Sequence, residues 1–299
     1  MASEQAEAVK VALRAFREQV LVGQPTLEEQ RAGGLAFGDM TAPPTSVTYT
    51  DVDAGGVPAE WVVPEGAADD RVLLYVHGGG YVICSMRTHS KLVGHIAKAA
   101  GVKALNVDYR LAPEHPHPAA VNDSVAAYQW LLDQGYAAQN IAIAGDSAGG
   151  GLTFATLLAI RDRGLPLPAT AVPLSPWVDL EGTGDTMTTH ADRDLLVNGV
   201  GLKAMADLFL AGGDARDPLA APLHADLRGL PPLYIQVGDD ETLLDDSRRI
   251  AAKAKAEGVD VRLDVFPEMQ HVFQMGAGNV PEADDAVARI GEHLRKHLR

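Results

Sequence analysis

A single cysteine, Cys84, stands among 299 residues, so no internal disulfide can staple this fold and no oxidising compartment is needed to complete it. Nothing resembling a cysteine-hydrolase signature surrounds it, and a lone thiol ordinarily packs as a small apolar group. Cations are scarce too. Against 40 Asp and Glu there are 25 Lys and Arg, a formal charge of −15. A nucleic-acid partner would demand clustered cations to neutralise its phosphates, so that class is excluded. Arg295, Lys296 and Arg299 form the one basic group, and they suit the C-terminal end of a helix. No stretch holds eighteen consecutive apolar residues, which excludes a membrane-spanning helix. Met1 to Val22 interleaves Glu4, Glu7, Lys10, Arg14, Arg17 and Glu18 with apolar residues, unlike the continuous apolar stretch of a signal peptide. A cytoplasmic location is the expectation.

What the chain does have is a core and a rhythm. At 46% apolar and 22% charged residues it can bury a large interior without metal or covalent help. Val9, Ala12, Leu13, Phe16 and Val20 share the spacing of one helix face. Thr26-Leu27-Glu28-Glu29 carries a Thr-x-x-Glu capping pattern, and Gly33-Gly34 predicts the end of that second helix. Strand-like segments follow at Ser46–Val52 and Val57–Val63. Continuous apolar runs then recur at Val72–Val76, Lys103–Val107, Ile141–Ala144, Ala169–Leu174, Leu233–Val237 and Val261–Phe266. Helix-length segments separate most of them, which predicts a mostly parallel sheet covered on both faces. More than fifty residues between Trp177 and Pro232 lack a central strand, too many for a plain connection. They read as an insertion over the C-terminal edge of the sheet, paired with the N-terminal helices.

The chemistry concentrates at two loops. Ile141 to Ala144 runs into Gly145-Asp146-Ser147-Ala148-Gly149 and then into a helical stretch. A serine on so tight a strand-to-helix turn sits in strained geometry that only small neighbours permit, with its hydroxyl at the helix N-terminus. The other loop, His77-Gly78-Gly79-Gly80, follows the Val72–Val76 strand. Three consecutive glycines cost chain entropy, and they let backbone N–H groups approach a ligand oxygen. It lacks the Gly-Lys-Ser/Thr ending of a phosphate loop, and His77 reads as a residue that positions the loop. An activated serine also needs a base and an acid that orients it. His271 lies just past the Val261–Phe266 strand, whereas His293 and His297 fall in a charged terminal helix and are expected to be solvated. The acid lies among Asp239, Asp240, Glu241, Asp245 and Asp246, which charge count cannot separate. His115-Pro116-His117 lacks partners at metal-ligand spacing and reads as a rigid turn. Asp146 adjoins Ser147 in the chain and reads as a turn-fixing group, bonded to main chain or to Arg110.

These motifs resemble the bacterial hormone-sensitive-lipase family of α/β-hydrolase esterases. His77 to Gly80, Gly145 to Gly149, and Asp108-Tyr109-Arg110-Leu111-Ala112-Pro113-Glu114 match its patterns, as does His271-Val272-Phe273. The resemblance runs from about Val9 to the C-terminus. It implies an α/β-hydrolase fold with an eight-stranded, mostly parallel sheet and a helical cap. The expected division is 1–45 and 181–225 for the cap, 46–180 and 226–299 for the two parts of the core. Glu241-Thr242-Leu243 occupies the family's Asp-Pro-Leu position, which favours Glu241 as the acid, with Asp240 the alternative. The resemblance then implies a short-chain carboxylesterase with Ser147, His271 and Glu241 as catalytic residues. The N–H groups of Gly79, Gly80 and Ala148 would form the oxyanion hole, no cofactor or metal would take part, and the partner is a small-molecule ester. Trp177, Met187, Met205, Leu208 and Phe209 are pocket candidates for which core packing is the plainer role. A homodimer through Val261 to Phe266 is a further expectation. The rivals are an amidase, lactonase or acyltransferase with the same residues, and a receptor that kept the fold without the chemistry.

Overall fold

The computed structural model describes residues 2–23 and 25–299. Helices α1 (Glu4–Gly23) and α2 (Leu27–Phe37) open the chain, followed by strands β1 (Val47–Asp53), β2 (Pro58–Pro64) and β3 (Ala68–Val76). Next come α3 (Met86–Ala100), β4 (Val102–Val107), α4 (Ala119–Asp133), β5 (Ile141–Asp146), α5 (Ala148–Asp162) and β6 (Thr170–Leu174). The insertion supplies α6 (Thr186–Thr189) and α7 (Gly199–Leu210), and the chain ends with β7 (Leu233–Gly238), α8 (Leu244–Ala256), β8 (Val261–Phe266) and α9 (Pro281–His297).

The eight strands form one sheet in the order β1-β2-β4-β3-β5-β6-β7-β8. From β4 to β8 every neighbouring pair is parallel, while β1 and β2 add antiparallel strands at one edge. Alternation along β3 shows how the two layers form. Val72, Leu74 and Val76 pack with residues of α4, α5 and α8, whereas Leu73 and Tyr75 pack with those of α3 and α9. Side chains of a strand point to opposite faces with period two, so a run apolar at every position must be covered twice. All eight expected strands are present, and this chain has the α/β-hydrolase fold.

Three local expectations fail. The second helix does not stop at Gly33-Gly34 but continues to Phe37. The Thr26–Glu29 capping box forms as read, with Glu29 N–H donating to Thr26 Oγ1 and Thr26 N–H to Glu29 Oε2. The helix body is pinned by Arg31, whose guanidinium donates to the carbonyls of Val82 and Ala112 and to Glu114. Those tertiary bonds outweigh the weak helix propensity of two glycines. In α1 the buried face is Ala6, Lys10 and Leu13, while Ala12 and Phe16 are exposed. The side chain of Val20 lies outside the described residues. Finally, His293 is buried, with Nε2 2.7 Å from Thr170 Oγ1, because it shares the α9 face of Val287, Ile290 and Leu294.

Candidate active site

The C-terminal ends of β3, β5, β7 and β8 converge, as parallel sheets require of their functional loops. Ser147 follows β5 at φ 54°, ψ −119°, a conformation L-residues rarely hold. The turn survives because its flanks are bare. A Cβ on Gly149 would strike the carbonyl oxygen of Val76, and one on Gly145 the carbonyl oxygen of Gly149. Ser147 N–H donates to Leu174 O, and Ser147 O accepts from Trp177 N–H, so both sides of the bend are tied to the β6 end.

His271, on the loop after β8, brings its Nε2 to 2.9 Å from Ser147 Oγ. Its Nδ1 lies 2.8 Å from Glu241 Oε2. Glu241 is fully buried, and its other oxygen accepts from Ser175 Oγ at 2.7 Å and Gly238 N–H at 2.6 Å. Burial pushes the His271 imidazole toward neutrality, but the charge and hydrogen bond of Glu241 outweigh that. Its pKa therefore stands above the ordinary histidine value.

The remaining carboxylates of that loop are engaged elsewhere. Asp240 accepts from Arg193 Nε at 2.8 Å, Asp239 receives the N–H of Glu268, and Asp245 receives the N–H of Thr186. Asp246 is buried and accepts from the N–H groups of Val178 and Asp179, both at 3.0 Å, so it anchors the start of the insertion.

The glycine loop is held by its carbonyls. His77 Nδ1 lies 2.7 Å from Gly78 O, which makes that ring nitrogen the donor. Gly79 O accepts from Val82 and Ile83 N–H at 3.0 and 2.9 Å. A trans peptide sets its N–H opposite its C=O, so fixing these two oxygens aims the N–H groups of Gly79 and Gly80 the other way. Gly79 has φ 105° and Gly80 φ 62°, and a side chain on Gly79 would collide with Ile83 O. Asp146 takes the third peptide: its Oδ1 accepts from Gly78 N–H at 3.1 Å and Tyr75 OH at 2.8 Å, and its Oδ2 lies 3.2 Å from His89 Nε2. Arg110, the other partner considered, pairs with Asp123 instead. The Cys84 thiol is pushed up to about 12 by burial, so it stays protonated.

A family model described as the alpha/beta hydrolase fold matches residues 73–275, more than half of the chain. A crystal structure of an esterase from the bacterial hormone-sensitive lipase family superposes with a TM-score of 0.96 at 48% identity, over 100% of both chains. The chain belongs to that family. Two further proteins agree with it over most of their length. An acetyl-hydrolase of Streptomyces hygroscopicus is 46% identical over 87% of this chain and 85% of its own. EstE5, in a crystal soaked with p-nitrophenyl butyrate, is 44% identical with a TM-score of 0.92, over 99% of both chains.

Against this family frame, the structure brings Ser147, His271 and Glu241 together and places Asp240 outside the group. Several participants carry no local sequence signal. Ser175 and His89 reach the site only through contacts between distant segments, while Gly238 and Gln270 sit within three residues of Glu241 and His271. His117 proves tied to α7, its N–H donating to Phe209 O at 2.8 Å. Of the pocket candidates, Trp177 and Phe209 are core residues, with Tyr81 stacked on Phe209 at 3.8 Å, and Leu208 is exposed. Met205 packs against Gly80, and Met187 packs beside Gly182 and Gly199.

Proposed function

We propose that this hydrolase cleaves short-acyl carboxylic esters by acyl transfer through Ser147, His271 and Glu241. The supporting observation is one imidazole bonded at the same time to the Ser147 hydroxyl and to a buried carboxylate. Because Glu241 receives Nδ1–H, Nε2 is left as the acceptor facing Ser147, the tautomer a general base needs. His271 takes the Ser147 proton as Oγ attacks the ester carbonyl carbon. The negative charge that develops on the carbonyl oxygen is met by the N–H groups of Gly79, Gly80 and Ala148, the last at the N-terminus of α5. His271 returns the proton to the departing alcohol. Water then attacks the acyl-enzyme by the same relay and releases the acid. We also read residues 1–45 and 181–225 as one cap over this centre, and the open edge at β8 as the place for a second copy.

The short-chain preference is supported by the crowding beside the glycine loop at Gly80. Met205 roofs Gly80, and Tyr81, Trp177 and Phe209 occupy the neighbouring space as buried aromatics. Across p-nitrophenyl esters from acetate to dodecanoate, kcat/KM should peak at hexanoate or shorter. A maximum at decanoate or dodecanoate overturns that preference.

The pH profile follows from the base. Only neutral His271 accepts the serine proton, and its pKa is raised, so kcat/KM should fall as pH drops through a value above about 6.5. Rates on p-nitrophenyl acetate between pH 5 and 9 would show it. An acid limb well below 6.5 contradicts this account.

A further inference from the structure

Three consecutive residues of the insertion touch both loops that carry the acid and the base. Asp194 is fully buried. Its Oδ2 accepts from Thr242 N–H at 2.8 Å and Thr242 Oγ1 at 3.0 Å, one residue after Glu241. Its Oδ1 accepts from Leu196 and Val197 N–H, which folds the segment into a rigid turn. Arg193 holds Asp240, one residue before Glu241, through Nε. On the other side, Leu195 N–H donates to Gln270 Oε1 at 2.8 Å, and Gln270 Nε2 donates to Arg193 O at 3.0 Å, one residue before His271. The residues on both sides of Glu241 and the one preceding His271 are therefore gripped by a single tripeptide.

That tripeptide is itself anchored from the N-terminal helix. Arg17 donates through Nη1 to Asp194 O at 2.7 Å and through Nη2 to Ala191 O at 3.3 Å. Lys10, buried on the same helix, brings Nζ to 3.5 Å from Asp240 Oδ2.

We infer that Arg193-Asp194-Leu195 is a clamp that sets the Glu241–His271 separation, with Asp194 as the positioning residue at its centre. The clamp rests on the catalytic reading given above. A buried carboxylate that accepts four bonds is rigid, and it exchanges solvent-like freedom in two loops for one fixed spacing. Catalysis is steep in such spacing: a misplacement of about 1 Å costs about 100-fold. Asp194 also adds negative charge near the imidazole, alongside Glu241 and Asp146. Asp239, Asp240, Arg193, Lys10 and Glu268 are further charged groups on the elements packed around that loop.

Asp194→Asn retains size and one acceptor but removes the charge and sets an NH2 against donors. The variant should lose about 10- to 100-fold in kcat with KM within about threefold. Its acid limb in kcat/KM should move to lower pH, because one charge favouring protonated His271 is gone. In proton NMR, the low-field His271 Nδ1–H resonance of the wild type should broaden or vanish in the variant. A folded Asp194→Asn enzyme with wild-type kcat, acid limb and low-field resonance overturns the clamp, whatever its thermal midpoint. Should that variant fail to fold, Thr242→Val and Gln270→Met each release one side. A kcat loss at steady KM in either supports the inference, and unchanged kcat in both overturns it. If the wild type turns over no ester, the catalytic reading falls, while the resonance, which needs no turnover, still decides the clamp.

Discussion

Ser147→Ala is expected to lower kcat by about 10⁴- to 10⁶-fold, and His271→Ala by a similar factor, with the double variant no worse than either. The reason lies in the shared proton. Oγ is a weak nucleophile until Nε2, 2.9 Å away, accepts its hydrogen, and Nε2 has nothing to accept once Oγ is gone. Either deletion therefore removes the whole covalent route, leaving the oxyanion donors and binding to supply about 10³–10⁴ over water. The fold should be indifferent to the loss. The hydroxyl is small, and the bend is held by main-chain bonds to Leu174 and Trp177 rather than by the side chain. Steady-state hydrolysis of p-nitrophenyl acetate measures the rates, and a fluorophosphonate probe should label the wild type and neither variant containing Ser147→Ala. Turnover by Ser147→Ala within tenfold of wild type would end the catalytic reading.

How far the sequence carries such an argument depends on the range of the interaction. The end of β3 and strands β4 to β7 were legible because burial on two faces writes a continuous apolar run into five or six consecutive residues, whereas the edge strands β1 and β8 are mostly not buried. The Ser147 elbow was legible for a related reason: its strain is local, and glycine at 145 and 149 is the local remedy. His271 was legible by position after the last strand. What was not legible is polar and long-range. The acid loop holds Asp239, Asp240, Glu241, Asp245 and Asp246, chemically alike in one dimension. They are sorted only by what folds against them: Arg193 and Lys10 for Asp240, the start of the insertion for Asp246, His271 for Glu241. Asp146 likewise found Tyr75, Gly78 and His89 rather than Arg110. The reading of His293 as solvated failed because charge along α9 masks a face that is buried by tertiary contact. The same holds for α2, where a stop signal of about 1 kcal/mol per glycine yields to the bonds of Arg31.

Substitution separates the two acidic candidates more sharply than any distance does. Glu241→Gln should reduce kcat by about 10⁴-fold, whereas Asp240→Asn should stay within about tenfold of wild type. The difference follows from donors that cannot turn round. Gly238 N–H points at Glu241 Oε1 and demands an acceptor there, and Ser175 Oγ lies against the same atom. A glutamine must therefore put its carbonyl oxygen on that side, which turns its NH2 toward His271 Nδ1. Nδ1 then has to be the acceptor, so the ring proton moves to Nε2 and points at Ser147. That tautomer cannot take the serine proton. Asparagine at 240, in contrast, keeps an oxygen for Arg193, and its NH2 falls on the side of Lys10 and Gln270, leaving the His271 proton where it is. The readout is kcat with p-nitrophenyl acetate for both variants, alongside fluorophosphonate labelling rates. Loss on Asp240→Asn with retention on Glu241→Gln would move the acid to residue 240 and require the loop after β7 to rearrange in the working enzyme.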